Sequence, residues 1–344
     1  MPPSRGMARR VGGNCPARSA AGGVVVGPAI ERCDWGSMEI RVGTRGSLLA
    51  KTQTQSVVNL LAEMDPHATY LLHIVRSLGD SSPSTPLDQL GAQGVFTLAL
   101  EQALADGIVD VAVHSAKDLP SVVPARYALA AIPCREDPRD CIVSLRGMAL
   151  AQLPRGAKVG TGGPRRISQL RLLRPDLQFV TIRGNVDTRR SAALQGTVDA
   201  VVLAMAGLTR LGLLDEHAVP LGTEECLPQA GQGALAMEVL AANSTLREMV
   251  GLIDNLEARA CVEAERAVLA HLAAGCQAPV AAHATVIDGL RLRLRAFVGT
   301  PDGSALRADR VGTLGSASTL GLEVASDLIE LGADRALSAC HGAS

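Results

Sequence analysis

Gly160-Thr-Gly-Gly-Pro-Arg-Arg-Ile-Ser-Gln-Leu-Arg-Leu-Leu-Arg-Pro175 is the stretch on which the reading of this chain turns. Pro164 suits the first position of a helix, and Ile167, Leu170 and Leu173 recur at helical spacing. Lys158-Val159 just ahead reads as a strand, so the segment is strand, glycine turn and helix, the repeating unit of an α/β sheet. Arg165 and Arg166 then fall in the first helical turn, where the positive end of the helix dipole disfavours each cation by about 0.3–1 kcal/mol. Two readings follow. Either the helix is solvated and its charges are screened, or an anion occupies the free N–H groups and the guanidinium forks together.

The same unit recurs on both sides. An apolar strand from Glu39 runs into Val42-Gly-Thr-Arg-Gly46, and Ser47 is placed to cap a helix bearing Leu48, Leu49, Val57, Leu61 and Met64. A strand from Tyr70 to Arg76 leads to a loop at Gly79-Asp-Ser-Ser-Pro83, and a turn at Gly91-Ala-Gln-Gly94 opens a helix from about Phe96 to Ala105. Ile108 to Val113 is short and almost wholly apolar, as expected for a strand covered on both faces, and it delivers His114-Ser-Ala-Lys-Asp-Leu-Pro120. That heptapeptide is either a polar turn stopped by Pro120 or a site that concentrates hydroxyl, amine and carboxylate. Strands at Phe179–Ile182 and Val198–Leu203 are followed by Arg183 to Arg190 and by Ala206 to Arg210. Arg45, Asp118, Arg165, Arg166, Arg183, Arg189 and Arg210 therefore all lie at or just beyond expected strand ends, where open α/β sheets bind ligands.

Beyond Leu227-Pro-Gln-Ala-Gly-Gln-Gly233 the character changes. A helix from about Glu257 to Ala274 carries Cys261, Val262, Val268, Leu269 and Leu272 on one face and stops at Gly275, which leaves Cys276 on a loop. Asp288-Gly289 signals a hairpin, and Leu290, Leu292 and Leu294 alternate with Arg291, Arg293 and Arg295, the solvated face of a strand. This part reads as a small α+β domain.

With 344 residues the chain has room for two or three domains, and its net charge of −1 makes the arginine clusters local features. Aromatic residues are only 2 % of the chain, too few to stack along a single-stranded nucleic acid, so no nucleic-acid partner is expected. The eight cysteines form no zinc-spaced array, which excludes a metal centre of that kind and points to a reducing, cytoplasmic setting. No apolar run is long enough to span a bilayer. The phosphate-loop, dinucleotide, His-Glu-x-x-His and Gly-x-Ser-x-Gly signatures are absent from the sequence. Residues 1–37, rich in Gly, Ala, Pro and Arg, are expected to be a disordered tail or a misassigned start, with the working protein beginning near Met38.

Seven motifs occur in one order: Gly43-Thr-Arg-Gly-Ser47, Val113-His-Ser-Ala-Lys-Asp-Leu-Pro120, Arg135-Glu-Asp-Pro-Arg-Asp140, Arg183-Gly-Asn-Val186, Ala206-Gly-Leu208, Gly231-Gln-Gly233 and Gly275-Cys-Gln-Ala-Pro279. In them the chain resembles the hydroxymethylbilane synthase (porphobilinogen deaminase) family over residues 39–340. The resemblance implies an α/β fold of two periplasmic-binding-protein-like α/β domains plus a small α+β C-terminal domain. The first would comprise residues 38–133 with 232–252, the second 138–228 and the third 256–344. It also implies a dipyrromethane cofactor joined by a thioether to Cys276, extended by porphobilinogen units that each bring an acetate and a propionate.

On that resemblance Asp118 is the catalytic carboxylate. Lys117, Ser115, Thr161, Gly163, Arg165, Arg166, Arg189, Asn185 and Asp118 would hold the cofactor, and Arg45, Arg183, Arg210 and Ser47 the substrate. Guanidinium forks match such carboxylates. No metal is expected, and the protein would act as a monomer. Thr161-Gly162-Gly163, Gly91-Ala-Gln-Gly94 and Leu78 depart from the family's commonest pattern and bear on the strength of grip. A rival of another class is a non-catalytic binder of a small polycarboxylate, which would keep its affinity in Asp118→Ala.

Overall fold

The computed structural model describes residues 38–76, 95–275 and 277–342. The expectations for residues 1–37, for the loop and turn at Gly79–Pro83 and Gly91–Gly94, and for Leu78, Gln93 and Cys276 lie outside these. Three sheets organise the described chain.

The first sheet has the order β2-β1-β3-β10-β4. Its strands are β1 (Glu39–Thr44), β2 (Thr69–Ile74), β3 (Val111–Ser115), β4 (Tyr127–Ala131) and β10 (Leu235–Leu240). β1 runs parallel to β2 and β3, whereas β10 is antiparallel to β3 and β4. Helices α1 (Leu48–Met64) and α2 (Val95–Ala105) accompany it. Ser47 caps α1 by accepting the Ala50 amide at 3.2 Å, as its place before the apolar repeat requires. β3 begins three residues later than the sequence suggests. Asp110 is the reason: its carboxylate is taken by the amide and guanidinium of Arg41, which keeps that residue in the preceding turn.

The second sheet has the order β7-β6-β8-β5-β9. It contains β5 (Asp140–Val143), β6 (Lys158–Gly160), β7 (Gln178–Val180), β8 (Ala200–Ala204) and β9 (Ala218–Pro220). α3 (Pro164–Leu173), α4 (Val186–Leu194) and α5 (Met205–Arg210) follow β6, β7 and β8. In each of these two sheets three parallel strands adjoin an antiparallel one, β10 in the first and β5 in the second. The chain passes between the sheets twice, from β4 to β5 and from β9 to β10. The arginine helix begins at Pro164 as read from the sequence, and Leu170 is fully buried, but Leu173 is 47 % exposed because the helix ends there.

β11 (Val280–Val286), β12 (Arg291–Gly299) and β13 (Ala305–Thr313) form an antiparallel meander. α6 (Ser244–Gly251) and α7 (Leu256–His271) precede it, and α8 (Ala317–Glu330) and α9 (Ala333–Gly342) follow. The meander buries Leu292, Leu294, Ala296 and Val298 in a core shared with α7 and α8. Leu290, expected on the apolar face, is 76 % exposed, because Asp288 draws its amide into the hairpin turn. α7 ends three residues before the expected stop, where Ala273 takes a left-handed φ of 48°. Among the described residues no helix is long and apolar enough to cross a membrane.

Candidate active site

β3 is almost entirely buried and ends in a short 3-10 turn at Ala116–Asp118. Side chains from other elements position that turn. Ser115 Oγ exchanges hydrogen bonds with the buried Gln53 amide of α1 at 3.1 and 3.3 Å. Thr97 Oγ1 donates to the Asp118 carbonyl at 3.3 Å, and Gln229 Nε2 to the Lys117 carbonyl at 3.3 Å. From beneath, Gly231 presses on the turn with φ of +73°, and a Cβ there would lie 2.9 Å from the Ala116 carbonyl carbon. Gly233 has φ of +88°, and a Cβ would come within 2.3 Å of the Glu136 carbonyl oxygen. The two segments that pass between the sheets therefore cross at backbone distance directly behind Lys117 and Asp118.

Gln232, between those glycines, is wholly buried and joins the sheets. Its amide donates to the Pro138 carbonyl at 2.6 Å and to Asp140 Oδ1 at 3.0 Å, while Lys117 Nζ donates to its Oε1 at 3.4 Å. Asp140 is also wholly buried and accepts from both paired arginines. Arg165 Nη2 reaches Oδ2 at 2.7 Å, and Arg166 reaches Oδ1 through Nη2 at 2.7 Å and Nε at 3.2 Å. Arg165 Nη1 donates to the Leu227 carbonyl and Arg166 Nη1 to that of Val202. Burial by itself would raise the Asp140 carboxyl, but the two guanidiniums and Gln232 outweigh it and hold the group far below the usual carboxylate range. Internal carboxylate thus supplies the negative charge that the start of α3 demands.

Three cavities converge on the turn. The largest, about 300 Å³, is lined by Lys117, Asp118, Gly163, Arg165, Arg166 and Arg189 and by both neighbours of Cys276, Gly275 and Gln277. A second is lined by Arg45, Ser47, Gln53, Ser115 and Asp118. A third touches Ser115, Lys117, Arg166, Arg189, Arg210 and Gln232. Asp118 is exposed and lines both of the first two, so the residue is shared between them.

Their electrostatics are cationic. Burial lowers the Lys117 pKa, with Asp118 pulling it back up and Arg166 pushing it down again. Arg189 is lowered by burial and then by the like charge of Arg166, and its Nε is buried with no hydrogen-bond partner among the described residues. Arg210 donates to the Gly233 carbonyl at 2.6 Å. Thr161 is buried and accepts the Gly163 amide at 3.4 Å, whereas Arg183 and Asn185 are exposed at the entry to α4. Burial pushes the Cys141 and Cys226 thiols up to about 12 and Cys261 up to about 11, so these described thiols are poor nucleophiles. Among the described residues no group of acidic, histidine and cysteine side chains could hold a metal.

Sequence reading brought Arg45, Ser47, Ser115, Lys117, Asp118, Arg165, Arg166, Arg189 and Arg210 to these cavities but gave no role to Asp140, Gln232 or Gln53. The first two stood inside quoted motifs, and a carboxylate opening a strand opposite a paired-arginine helix was the available signal for Asp140.

Residues 40–248 match the family model described as "Porphobilinogen deaminase, dipyromethane cofactor binding domain", and residues 259–330 match "Porphobilinogen deaminase, C-terminal domain". The porphobilinogen deaminase of Mycobacterium marinum is 48 % identical over 303 residues, covering 86 % of this chain and 95 % of that protein. That of Mycolicibacterium paratuberculosis is 47 % identical over 308 residues, covering 87 % and 96 %. Among solved structures, an arginine-specific periplasmic binding protein of Salmonella typhimurium covers 63 % of this chain and 92 % of its own at 14 % identity and a TM-score of 0.38. The VFT2 domain of Bordetella pertussis BvgS covers 62 % and 86 % at 14 % identity and a TM-score of 0.39.

Proposed function

The chain belongs to the porphobilinogen deaminase family, and from that premise we propose that it is a hydroxymethylbilane synthase, a transferase that joins porphobilinogen units head to tail on a covalent dipyrromethane primer and releases the linear tetrapyrrole by hydrolysis. The observation that carries the reading is that two arginine-bearing cavities share Asp118, one of them walled by both chain neighbours of Cys276.

The site is suited to the cofactor. Arg189 brings a buried Nε without a partner and a charge that Arg166 repels, and a carboxylated pyrrole would relieve both. Lys117, Ser115, Thr161, Gly163, Arg165, Arg166, Arg189 and Asn185 would hold it, with Cys276 as its thioether attachment. When bound, the dipyrromethane would supply the nucleophilic pyrrole carbon from which chain growth starts.

Arg45, Ser47, Arg183 and Arg210 bind the acetate and propionate of incoming porphobilinogen, the guanidiniums by paired N–H donation. Asp118 accepts the substrate pyrrole N–H and stabilises the positive charge that develops there as ammonia leaves. It then takes the proton released once the carbon–carbon bond has formed. Its exposure between two cavities lets it serve both tasks from one position. Lys117, held by Gln232, keeps a cation next to it.

We assign residues 38–133 with 232–252, 138–228 and 256–344 to three domains, which agrees with the three sheets. The buried Cys141, Cys226 and Cys261 are free thiols, which suits a cytoplasmic protein, and with aromatic residues at only 2 % of the chain we read it as a monomer that takes no nucleic acid. Intact mass of the purified protein tests the proposal. A mass above that of the chain by one dipyrrole, absent from Cys276→Ser, together with consumption of porphobilinogen, is expected; a bare chain that leaves porphobilinogen unconsumed refutes it.

A further inference from the structure

The carbonyls that follow the end of β3 are held one after another by side chains. Gln229 takes that of Lys117 and Thr97 that of Asp118. Beyond Leu119, the carbonyls of Pro120 and Ser121 belong to Arg266 of α7, whose Nη2 donates to the first at 2.7 Å and to the second at 3.2 Å. Pro120 lies in neither a helix nor a strand, so no regular backbone ladder supplies a donor to its carbonyl.

Arg266 is half-buried and makes no ion pair among the described residues. Burial lowers its pKa, and Glu238 pulls it back up. A desolvated guanidinium committed to two neutral carbonyls is costly unless the loop it fixes matters. The preceding residue, Glu265, anchors the same helix to the inter-sheet crossing. Its wholly buried carboxylate accepts the Gly231 amide at 2.7 Å, Arg135 at 2.7 and 3.1 Å, and the Ala284 amide at 2.7 Å. α7 ends at His271, only a few residues before Gly275, which lines the largest cavity together with Pro120 and Ser121.

We propose that Arg266 is a positioning residue, which by holding the Pro120 and Ser121 carbonyls fixes the Asp118 carboxylate relative to the helix that leads to Cys276. This rests on the reading that Asp118 and the group on Cys276 face the same reacting atoms. Misplacement of a catalytic group by about 1 Å can cost roughly a hundredfold in rate.

Two variants of the full chain with cofactor attached provide the test. Arg266→Met is expected to lower kcat about tenfold while KM for porphobilinogen stays within about twofold and the intact mass keeps the dipyrrole. Arg266→Lys, which retains one donor for the 2.7 Å contact, is expected to lie within about threefold of the parent. Amide exchange of the peptide spanning Ser115–Val122 reads the contact without reference to activity and should quicken about tenfold in Arg266→Met but not in Arg266→Lys. Native kcat or native exchange in Arg266→Met overturns the proposal, and so does a rise in KM alone, or Arg266→Lys behaving no better than Met. Should the parent chain leave porphobilinogen unconsumed, the proposed function fails on that result, and exchange alone decides the role of Arg266.

Discussion

Asp140 Oδ1 lies 2.7 Å from Arg166 Nη2, and the same carboxylate holds Arg165 through its other oxygen. One buried acid thus fixes two adjacent guanidiniums that would otherwise repel each other at the start of a helix. The cavity is lined by arginines whose orientation is set before any ligand arrives, which lowers the ordering cost of binding.

Asp140→Asn should therefore be severely destabilising. Loss of the charge leaves two buried cations without their partner, a defect of about 3–5 kcal/mol. The denaturant midpoint would fall accordingly, and a variant within about 1 kcal/mol of the parent would show that the pair is not a structural keystone.

Asp118→Asn should leave stability within about 0.5 kcal/mol, because the side chain is exposed and makes no ion pair among the described residues. Turnover should fall by roughly 10²–10⁴ with the dipyrrole still attached. Steady-state kinetics and intact mass on one preparation check both halves, and recovery of unmodified chain would count against the assignment.

Gly231→Ala and Gly107→Ala form a matched pair. Both glycines have left-handed φ, +73° and +66°, but a Cβ at Gly107 meets nothing within 4 Å whereas one at Gly231 meets the Ala116 backbone. Gly107→Ala should cost about 1 kcal/mol and keep full activity. Gly231→Ala should cost more and also reduce kcat, since the turn bearing Lys117 and Asp118 must move. Equal losses in the two variants would refute the close-approach argument.

Gly163→Ser should be stabilising. Gly163 is the N-cap of α3 with ordinary φ of −88°, makes no side-chain cap bond and leaves 3.8 Å of room for a Cβ. A hydroxyl there caps the helix and restricts the unfolded chain, a gain of about 0.5–1 kcal/mol in thermal or denaturant unfolding.

His283 predicts an acid limb. Burial, and then the neighbouring Arg135 and Arg295, push its pKa down to about 3 from an ordinary value near 6.5. Between those values the unfolded chain binds a proton that the folded chain refuses, so folding stability rises with pH across that window and is lost as pH falls below about 6.5. The slope approaches about 1.4 kcal/mol per pH unit for this one group. His283→Gln should flatten the stability profile between pH 6 and 4, which urea midpoints at several pH values would show.

Much of this was legible in the sequence because α/β architecture places ligands at strand ends. Arg45, Asp118 and Arg165 could be assigned to one site from local pattern alone, since each follows a short apolar run. What binds Arg165 could not. Asp140 is distant in sequence, and its burial depends on two sheets meeting at Gln232, a relationship no local period encodes. Leu173 and Leu290 failed for the opposite reason, since periodicity says nothing about where a helix ends or a turn begins to claim a residue.

The return of β10 between β3 and β4 has a consequence for synthesis on the ribosome. His114 and its partner Glu238 are separated by 124 residues, so the edge of β3 stays bare while the whole second sheet is being made. At about 5–20 residues per second that interval is on the order of ten seconds. The buried, apolar β3 is then a ready template for a strand from another nascent chain, and crowded translation or a pause before residue 235 should favour mispaired, aggregated product over inactive monomer.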